Sequence, residues 1–114
     1  MQHTKRKTIL LITALVLILA LIGLSIWGVF TIQKNNAYEN AMLLMRSGQY
    51  EAASAQFLEL NGFKDSIEQM VKGIPYHKAL DLLNAKEYEK AIDAFSELGS
   101  YLDSKERAGE AKQA

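Results

Sequence analysis

The chain of 114 residues contains no cysteine and a single proline. Without thiols it cannot form disulfides, thiolate zinc sites or cysteine nucleophiles. No glycine-rich phosphate loop follows a strand-like segment. The two histidines, His3 and His77, are isolated, and only one carboxylate, Asp81, lies a helical turn from His77. We therefore predict no metal, no cofactor and no catalytic residue, and we do not expect an enzyme.

Acidic residues are missing from the first part of the chain. All 13 Asp and Glu lie beyond Lys34, where they face nine Lys and Arg and give that segment a net charge of −4. A mildly acidic domain argues against nucleic-acid binding, which needs clustered Lys and Arg. No nucleic-acid partner is expected.

Charge of either sign is absent from Thr8–Gln33, which is almost entirely apolar. An uncharged run of 18 or more residues predicts a membrane-spanning helix. A cleaved signal peptide is the alternative, but its apolar core is about 7–15 residues long and is followed by small residues at the cleavage site. Trp27, Phe30 and Ile32 occupy the positions where small residues would be needed. We predict an uncleaved anchor over residues 8–33, with the lipid bilayer as a partner.

A basic tail, residues 1–7, precedes this run and contains Lys5, Arg6 and Lys7, whereas only Lys34 lies close on the other side. Lys and Arg are retained on the cytoplasmic side of membrane helices. The predicted location is the cell membrane, with one span, a cytoplasmic N-terminus and an extracytoplasmic segment beyond Lys34.

The segment 36–114 repeats itself. An offset of 38 positions, without gaps, aligns copies at about 38–75 and 76–114, within the range of helical repeat proteins. The identical pairs include Tyr38/Tyr76, Ala41/Ala79, Leu44/Leu82, Tyr50/Tyr88, Ala53/Ala91, Phe57/Phe95, Leu60/Leu98, Asp65/Asp103 and Ser66/Ser104. So many matches in one register indicate an internal duplication.

Each copy shows the spacing of two amphipathic helices. Tyr50, Ala53, Phe57 and Leu60 follow i, i+3, i+7 and i+10, and their counterparts do the same. An earlier amphipathic run precedes each of these, at 38–45 and 76–83. The predicted fold is all-α, with antiparallel helix pairs that cross closely at Ala53 and Ala91.

Helix starts and turns are predicted from local residues. Asn36 with Glu39 has the pattern that begins a helix. Gly48 is suited to end the first helix of its copy. Lys86 stands at the matching place, so we expect the second turn to be made differently.

The connection to the next unit is also duplicated. Gly62 (with Asn61 beside it) and Gly99 are expected to end the preceding helices. The capping-box pattern predicts that two aspartates cap the following helices with a glutamate three residues on, and the serines beside them are interpreted as caps too. These residues are Asp65, Glu68 and Ser66 in the first copy and Asp103, Glu106 and Ser104 in the second.

Pro75 lies inside a run that is otherwise helical from Asp65 to about Ala85. Proline removes a backbone donor and clashes with the preceding turn. Both a kinked continuous helix and a break between two helices remain possible from the sequence. The last stretch, Asp103–Ala114, is predicted to be a polar terminal helix, which a repeat stack needs for solubility.

The string Gly48-x-Tyr50-x-x-Ala53-x-x-x-Phe57 resembles the tetratricopeptide repeat. The Phe63-x-Asp65-Ser66 ending is similar to a divergent form found in exported or membrane-anchored proteins of Gram-positive bacteria. The resemblance implies a short array of helical hairpins that binds protein segments in a groove lined by the first helix of each pair. Carried over by position, that face would consist of Tyr38, Met42, Met45, Arg46, Tyr76, Leu80, Leu83 and Asn84. Simple packing is the alternative role for these residues.

The predicted function is a membrane-anchored interaction module, a scaffold or accessory subunit of a cell-envelope complex. Its protein partner is not identified by the sequence, and self-association is possible because two repeats leave an apolar flank uncovered. The alternative function is a small single-pass regulator that acts through its membrane helix.

Overall fold

The computed structural model describes residues 2–114, with side chains from Thr4 onward. Part of the predicted tail at residues 1–7 therefore lies outside the described residues, and so does the side chain of His3. Regular structure in residues 2–114 is all helical, without strands, which confirms the predicted all-α class. In chain order the elements are α1 (Gln2–Arg46), α2 (Tyr50–Leu60), α3 (Ser66–Glu68), a π-helical segment (Gln69–Gly73), α4 (Ile74–Asn84), α5 (Tyr88–Leu98) and α6 (Ser104–Gln113).

The chain divides into two compact units, Met1–Asn35 and Asn36–Ala114. The helix α1 runs without interruption through Asn36 and Glu39. The predicted helix start at Asn36 is therefore wrong. The stretch around Lys34 contains neither Gly nor Pro, and an Asn in a helix costs less than about 1 kcal/mol, so nothing there ends the helix.

The first unit is a helix whose apolar side chains are unburied. From Ile9 to Ile32 the large apolar residues are between 49% and 71% exposed. Each hydroxyl in this stretch donates to the carbonyl one turn back: Thr13 to Ile9 at 2.8 Å, Ser25 to Leu21 at 2.9 Å and Thr31 to Trp27 at 2.9 Å. The backbone and these hydroxyls are thus satisfied within the helix, and the surface that remains is apolar.

The second unit contains two cores, one in each copy. The large side chain at the centre of each, Phe57 or Phe95, is fully buried. Ala53 and Ala91 are also fully buried, as a close helix crossing requires. The first core consists of Ala41, Met45, Ala53, Phe57, Leu60 and Ile74, and the second of Tyr76, Ala79, Ala91, Phe95 and Ala108.

The two turns between paired helices are alike, contrary to the sequence prediction. Gly48 has φ +84° and Lys86 has φ +61°, so both are left-handed. In the first turn the amides of Gly48 and Gln49 donate to Met45 at 3.2 Å and Leu44 at 2.9 Å. In the second, the amides of Lys86 and Glu87 donate to Leu83 at 3.0 Å and Leu82 at 2.9 Å. Both are Schellman motifs, and these hydrogen bonds hold Lys86 in a conformation that normally favours glycine.

The helix that connects the copies is continuous. The elements α3, the π-helical segment and α4 join without leaving right-handed helical geometry, and we call residues 66–84 the linking helix. The π-helical segment ends at Gly73, two residues before Pro75, and the amide of Ile74 donates to the carbonyl of Gln69 five residues back. The wider turn accommodates the proline, whose ring would otherwise clash with the carbonyl four residues earlier. Of the two possibilities left open, the continuous helix is the one observed.

The helices α2 and α5 end at equivalent residues. Asn61 follows Leu60 with φ +47° and ψ +53°, and Gly99 follows Leu98 with φ +59°. Gly62 lies one position later and also has positive φ. Asn61 is therefore the first-copy counterpart of Gly99, and Gly62 supports the loop beyond it.

Candidate protein-interaction site

The eight residues of the predicted interaction face are divided between core and surface. Met45 is 2% exposed and belongs to the first core, and Tyr76 is 9% exposed and belongs to the second. The other six comprise half-buried Tyr38, Met42, Leu80 and Leu83 and exposed Arg46 and Asn84. A partner therefore has direct access to Arg46 and Asn84, and it can reach only the exposed edges of the four half-buried side chains. Binding at this face stays a prediction.

A tyrosine–aspartate hydrogen bond occurs at the same place in both copies. The hydroxyl of Tyr38 donates to Asp65 Oδ1, and that of Tyr76 donates to Asp103 Oδ1, each across 27 residues. Both aspartates occupy N-cap positions, but neither side chain caps its helix. The predicted capping boxes are therefore wrong, because the tyrosine hydroxyls engage the carboxylates instead.

Each carboxylate has a second donor one turn further along its own helix. Gln69 Nε2 donates to Asp65 Oδ2 at 3.1 Å, and Arg107 Nε donates to Asp103 Oδ2 at 3.1 Å. Both oxygens of each aspartate thus accept a hydrogen bond. The first copy uses a neutral donor where the second uses a guanidinium, which makes a partly exposed ion pair.

These hydrogen bonds shift the pKa values of both partners. The Tyr38 hydroxyl lowers the pKa of Asp65, and the Tyr76 hydroxyl does the same for Asp103. Burial, then the hydrogen bond to Asp65, raises the pKa of Tyr38 to about 12. The ionised aspartate and the neutral phenol are therefore the paired forms at neutral pH.

Ser66 and Ser104 are fully buried at equivalent positions. Neither hydroxyl has a hydrogen-bond partner among the described residues. The interpretation of both serines as helix caps is therefore wrong. A small side chain fits where each helix begins against its core, and the hydroxyl adds no observed contact.

A third tyrosine–aspartate pair joins α2 to α4. The Tyr50 hydroxyl donates to Asp81 Oδ2, and Lys78 Nζ lies 5.6 Å from the centre of the Tyr50 ring. Burial, then the hydrogen bond to Asp81, raises the pKa of Tyr50 to about 12. A groove of about 490 Å³ runs beside this pair, lined by Tyr50, Glu51, Ser54, Ala55, Met70, Ile74, Pro75 and Lys78.

His77 is half-buried beside the same pair. Burial lowers its pKa, Asp81 acts in the opposite direction, and Arg46 lowers it further. Asp81 accepts a hydrogen bond from Tyr50, so it has a structural role that its position one helical turn from His77 did not indicate. Within the described part of the chain, no three His, Cys, Asp or Glu side chains are grouped as metal ligands.

The sequence did not predict that Tyr50, Lys78 and Asp81 lie together. By the offset of 38, Asn40 corresponds to Lys78 and Leu43 to Asp81, so the duplication does not repeat this pair. The repeated Tyr50/Tyr88 was the only available indication. Matching identical residues between copies cannot find a contact that exists once.

The chain was compared with family models, curated proteins and solved structures, and none of the three comparisons finds a match. The tetratricopeptide resemblance rests on the residues named above and stays a prediction.

Proposed function

We propose that the chain is a membrane-anchored protein-interaction module, a tetratricopeptide-like unit held at the outer side of a membrane by one helix. The observation that carries this is the contrast between its units. Residues 9–32 expose their apolar side chains, while residues 36–114 bury two complete cores.

Two features support the anchor: the length of the apolar helix, and the hydrogen bonds that its hydroxyl groups make within the helix. The helix α1 is long and apolar enough to cross a bilayer, whose core needs about 20 residues. Its Thr and Ser hydroxyls are bonded within the helix, as hydrocarbon surroundings require. Trp27 is 67% exposed near the outer end of the run, a place suited to an interfacial indole.

The absence of cysteine allows a direct test of topology. Thr4→Cys and Ser100→Cys each create the one thiol of the chain. In intact cells, a membrane-impermeant maleimide should label the second variant and leave the first unlabelled until the cells are lysed. Mass spectrometry should find a mature protein that keeps residues 8–33. The reverse labelling, or a new terminus between residues 25 and 37, would refute the anchor as proposed.

The interaction role is supported by the small size and composition of the second unit. A two-copy unit has few neighbouring helices against which to bury its apolar faces. The exposed ends of the first helices, at Arg46 and Asn84, flank half-buried Met42 and Leu83. Such a mixed apolar and polar border is typical of protein interfaces.

Photo-crosslinking in membranes tests this role. A photoreactive residue at Asn84 should capture a defined protein, while the same residue at Glu97, also exposed, should not. Capture should persist when residues 8–33 are replaced by an unrelated span. Equal capture from both positions, or from neither, would contradict a specific module.

A regulator that acts through its membrane helix is the second candidate, favoured by the exposed apolar side chains of residues 9–32. For this function, replacing the span should abolish capture, whereas deleting the side chains of the second unit's surface should not. The span replacement therefore separates the two candidates.

A further inference from the structure

Within residues 36–114, all of which the structure describes, five large apolar side chains are exposed. Three of them lie where α2 ends and the linking helix begins: Leu58 is 63% exposed, Ile67 45% and Val71 57%. Ile67 and Val71 are four positions apart in a helix and therefore lie on one side of it. The other two, Leu43 and Leu102, lie on α1 and in the loop 99–103. We call Leu58, Ile67 and Val71 the 58–71 face.

The second copy is polar or lacks a side chain at the three equivalent positions. By the offset of 38, Leu58, Ile67 and Val71 correspond to Ser96, Lys105 and Gly109. Ser96 and Lys105 are exposed, as their counterparts are, so the two copies present the same backbone positions with opposite polarity. Exposed apolar side chains are therefore not needed by this helical arrangement, and the 58–71 face belongs only to the copy that follows the apolar run.

The stretch of chain between the apolar run and this face is short. The run ends at Gln33, and Tyr38 follows five positions later. Five residues span at most about 18 Å even when they are fully extended. The Tyr38 hydroxyl donates to Asp65, the last residue of the loop 61–65 that joins α2 to the linking helix. Chain length alone therefore keeps this loop, and the helix ends beside it, within reach of the surface of a bilayer that contains the run.

The loop 61–65 carries side chains that suit a membrane–water interface. Lys64 Nζ lies 5.0 Å from the centre of the Tyr38 ring and 5.7 Å from that of the Phe63 ring. Tyrosine is enriched at membrane interfaces, and a lysine there lays its apolar stem along the surface while its ammonium group stays in water. The second copy has Leu102 in place of Lys64, so this basic residue also belongs only to the first copy.

The size and charge of the 58–71 face favour lipid over a protein partner. A stable protein interface buries about 800 Å² and about 20–30 residues on each side, and three side chains offer a small fraction of that area. A bilayer surface needs no matching shape, and each apolar side chain is stabilised when it leaves water for it. Exposed Glu59 and Glu68 lie next to Leu58 and Ile67, so the face is not a polybasic patch of the kind that anionic lipid attracts. The contact is therefore apolar.

We propose that Leu58, Ile67 and Val71 insert into the interfacial region of the bilayer and form a second lipid contact of the chain, in addition to its membrane-spanning helix. The lipid is that of the membrane which holds the anchor. This inference rests on the proposed anchor and goes beyond it, because it assigns lipid binding to the folded second unit.

The test uses the full chain in phosphatidylcholine nanodiscs. Because the chain has no cysteine, Ile67→Cys provides a single thiol for a nitroxide spin label. Relaxation of the label by oxygen, which concentrates in lipid, is compared with its relaxation by a water-soluble nickel chelate. We expect the ratio of oxygen to chelate relaxation to be several-fold higher at residue 67 than at residue 105, which is labelled through Lys105→Cys.

Leu58→Cys and Ser96→Cys form a second matched pair on α2 and α5. All four labelled positions are exposed, so the labels displace no core side chain. Circular dichroism should show the same helix content in each labelled chain as in the unlabelled one. If one variant fails this check, the other pair still decides the question, because the same difference between the copies is expected from both.

A label at residue 18, introduced by Ile18→Cys within the apolar run, separates this proposal from the anchor. A high ratio at residue 18, with low ratios at residues 58 and 67, would overturn the lipid contact and leave the anchor standing. A low ratio at residue 18 would refute the anchor and the contact with it. Protection of residue 67 from both reagents would show that a protein or a second copy covers the face. That result, or equal ratios in the two copies, would also overturn the proposal.

Discussion

The two copies share the same arrangement of helices and turns, and they differ in the burial of equivalent side chains. Both have a fully buried Phe at the centre, Phe57 and Phe95, and both end their first helix with the same hydrogen-bonded turn. Yet Met45 is 2% exposed, with its sulfur close to Gly73 of the linking helix, whereas its equivalent Leu83 is half-buried, although α6 places Ala111 at the position equivalent to Gly73. Equivalent positions in two similar segments of the sequence thus differ in burial.

The reverse difference occurs at the first tyrosine of each copy. Tyr76 is 9% exposed, with its ring centre 5.8 Å from Phe95 and 5.9 Å from Tyr101. Tyr38 makes similar contacts, at 6.1 Å to Phe57, but is half-buried. Tyr76 lies between the copies, whereas Tyr38 lies at the outer end of the stack.

The largest effect is expected from the central phenylalanines. Phe57→Ala or Phe95→Ala should each cost about 3–5 kcal/mol. That is a large part of the roughly 4–12 kcal/mol expected for a domain of about 80 residues. Because the linking helix contributes Ile74 to one core and Tyr76 to the other, both variants should unfold the unit as a whole.

Urea denaturation followed by circular dichroism in micelles measures this loss, and amide hydrogen exchange locates it. Leu58→Ala, next to Phe57 but 63% exposed, is the control and should change stability by less than about 0.5 kcal/mol. Retained protection of α2 in a Phe95→Ala chain with unprotected α5 would show that the copies unfold separately.

The tyrosine–aspartate bonds should give the next largest effect. Tyr76→Phe and Tyr38→Phe should each cost about 1–2 kcal/mol, since the hydroxyl serves a charged acceptor. The larger loss is expected for the more buried Tyr76. Tyr88→Phe provides the comparison within the same chain, because among the described residues no acceptor contacts the Tyr88 hydroxyl, and it should leave the free energy of unfolding nearly unchanged. An equal loss at Tyr88 would mean that hydroxyl removal acts through something other than the aspartate.

Acid and alkali should both weaken the second unit through these pairs. The pKa of Asp65 and that of Asp103 are lowered in the folded state, so their stabilisation is present above the unfolded value of about 3.9 and is lost as pH falls through the folded values. The pKa of Tyr38 and that of Tyr50 are raised to about 12, so that stabilisation is present below about pH 10 and is lost between there and about pH 12. The urea concentration at the unfolding midpoint should decrease in both of these pH ranges. Asp103→Asn should reduce the decrease at acid pH. A midpoint that stays constant down to pH 3 would rule out the coupling.

The two turns offer a pair of opposite changes. Lys86→Gly should stabilise the unit by about 1 kcal/mol, because glycine adopts positive φ without a Cβ penalty. Gly48→Ala should destabilise it by a similar amount, although an added Cβ meets no atom within 4 Å. The urea midpoint measures both changes. Effects of the same sign would show that the turns differ in solution.

The smallest effect is expected at the buried serines. Ser66→Ala and Ser104→Ala remove hydroxyls that have no partner among the described residues, so each should be neutral or stabilise by up to about 1 kcal/mol. Thermal unfolding of both variants checks this. A loss beyond 1 kcal/mol in one copy alone would reveal a contact specific to that copy.

Much of the fold was predictable because it depends on local pattern. The uncharged run and the helical spacing around Phe57 and Phe95 are properties of residues close in sequence, and the duplication is found by aligning the sequence with itself. The turn at Lys86 was predicted incorrectly, because the preference for glycine at positive φ is weaker than the hydrogen bonds of a Schellman turn. Of the predicted interaction face, the sequence could not separate core residues such as Met45 from surface residues such as Arg46, because both recur at helical spacing.

The sequence by itself determined that the chain is helical, that one stretch is uncharged over a membrane's thickness and that the rest is a duplicated pair of helices. Those features follow from side-chain polarity and its period along the chain. Only the tertiary structure decided that Asp65 and Asp103 bind tyrosines, that Asp81 joins Tyr50, and that Met45 is buried where its equivalent Leu83 is half-buried. These contacts join residues 27 or 31 positions apart, or depend on a neighbouring helix, and no local pattern specifies them.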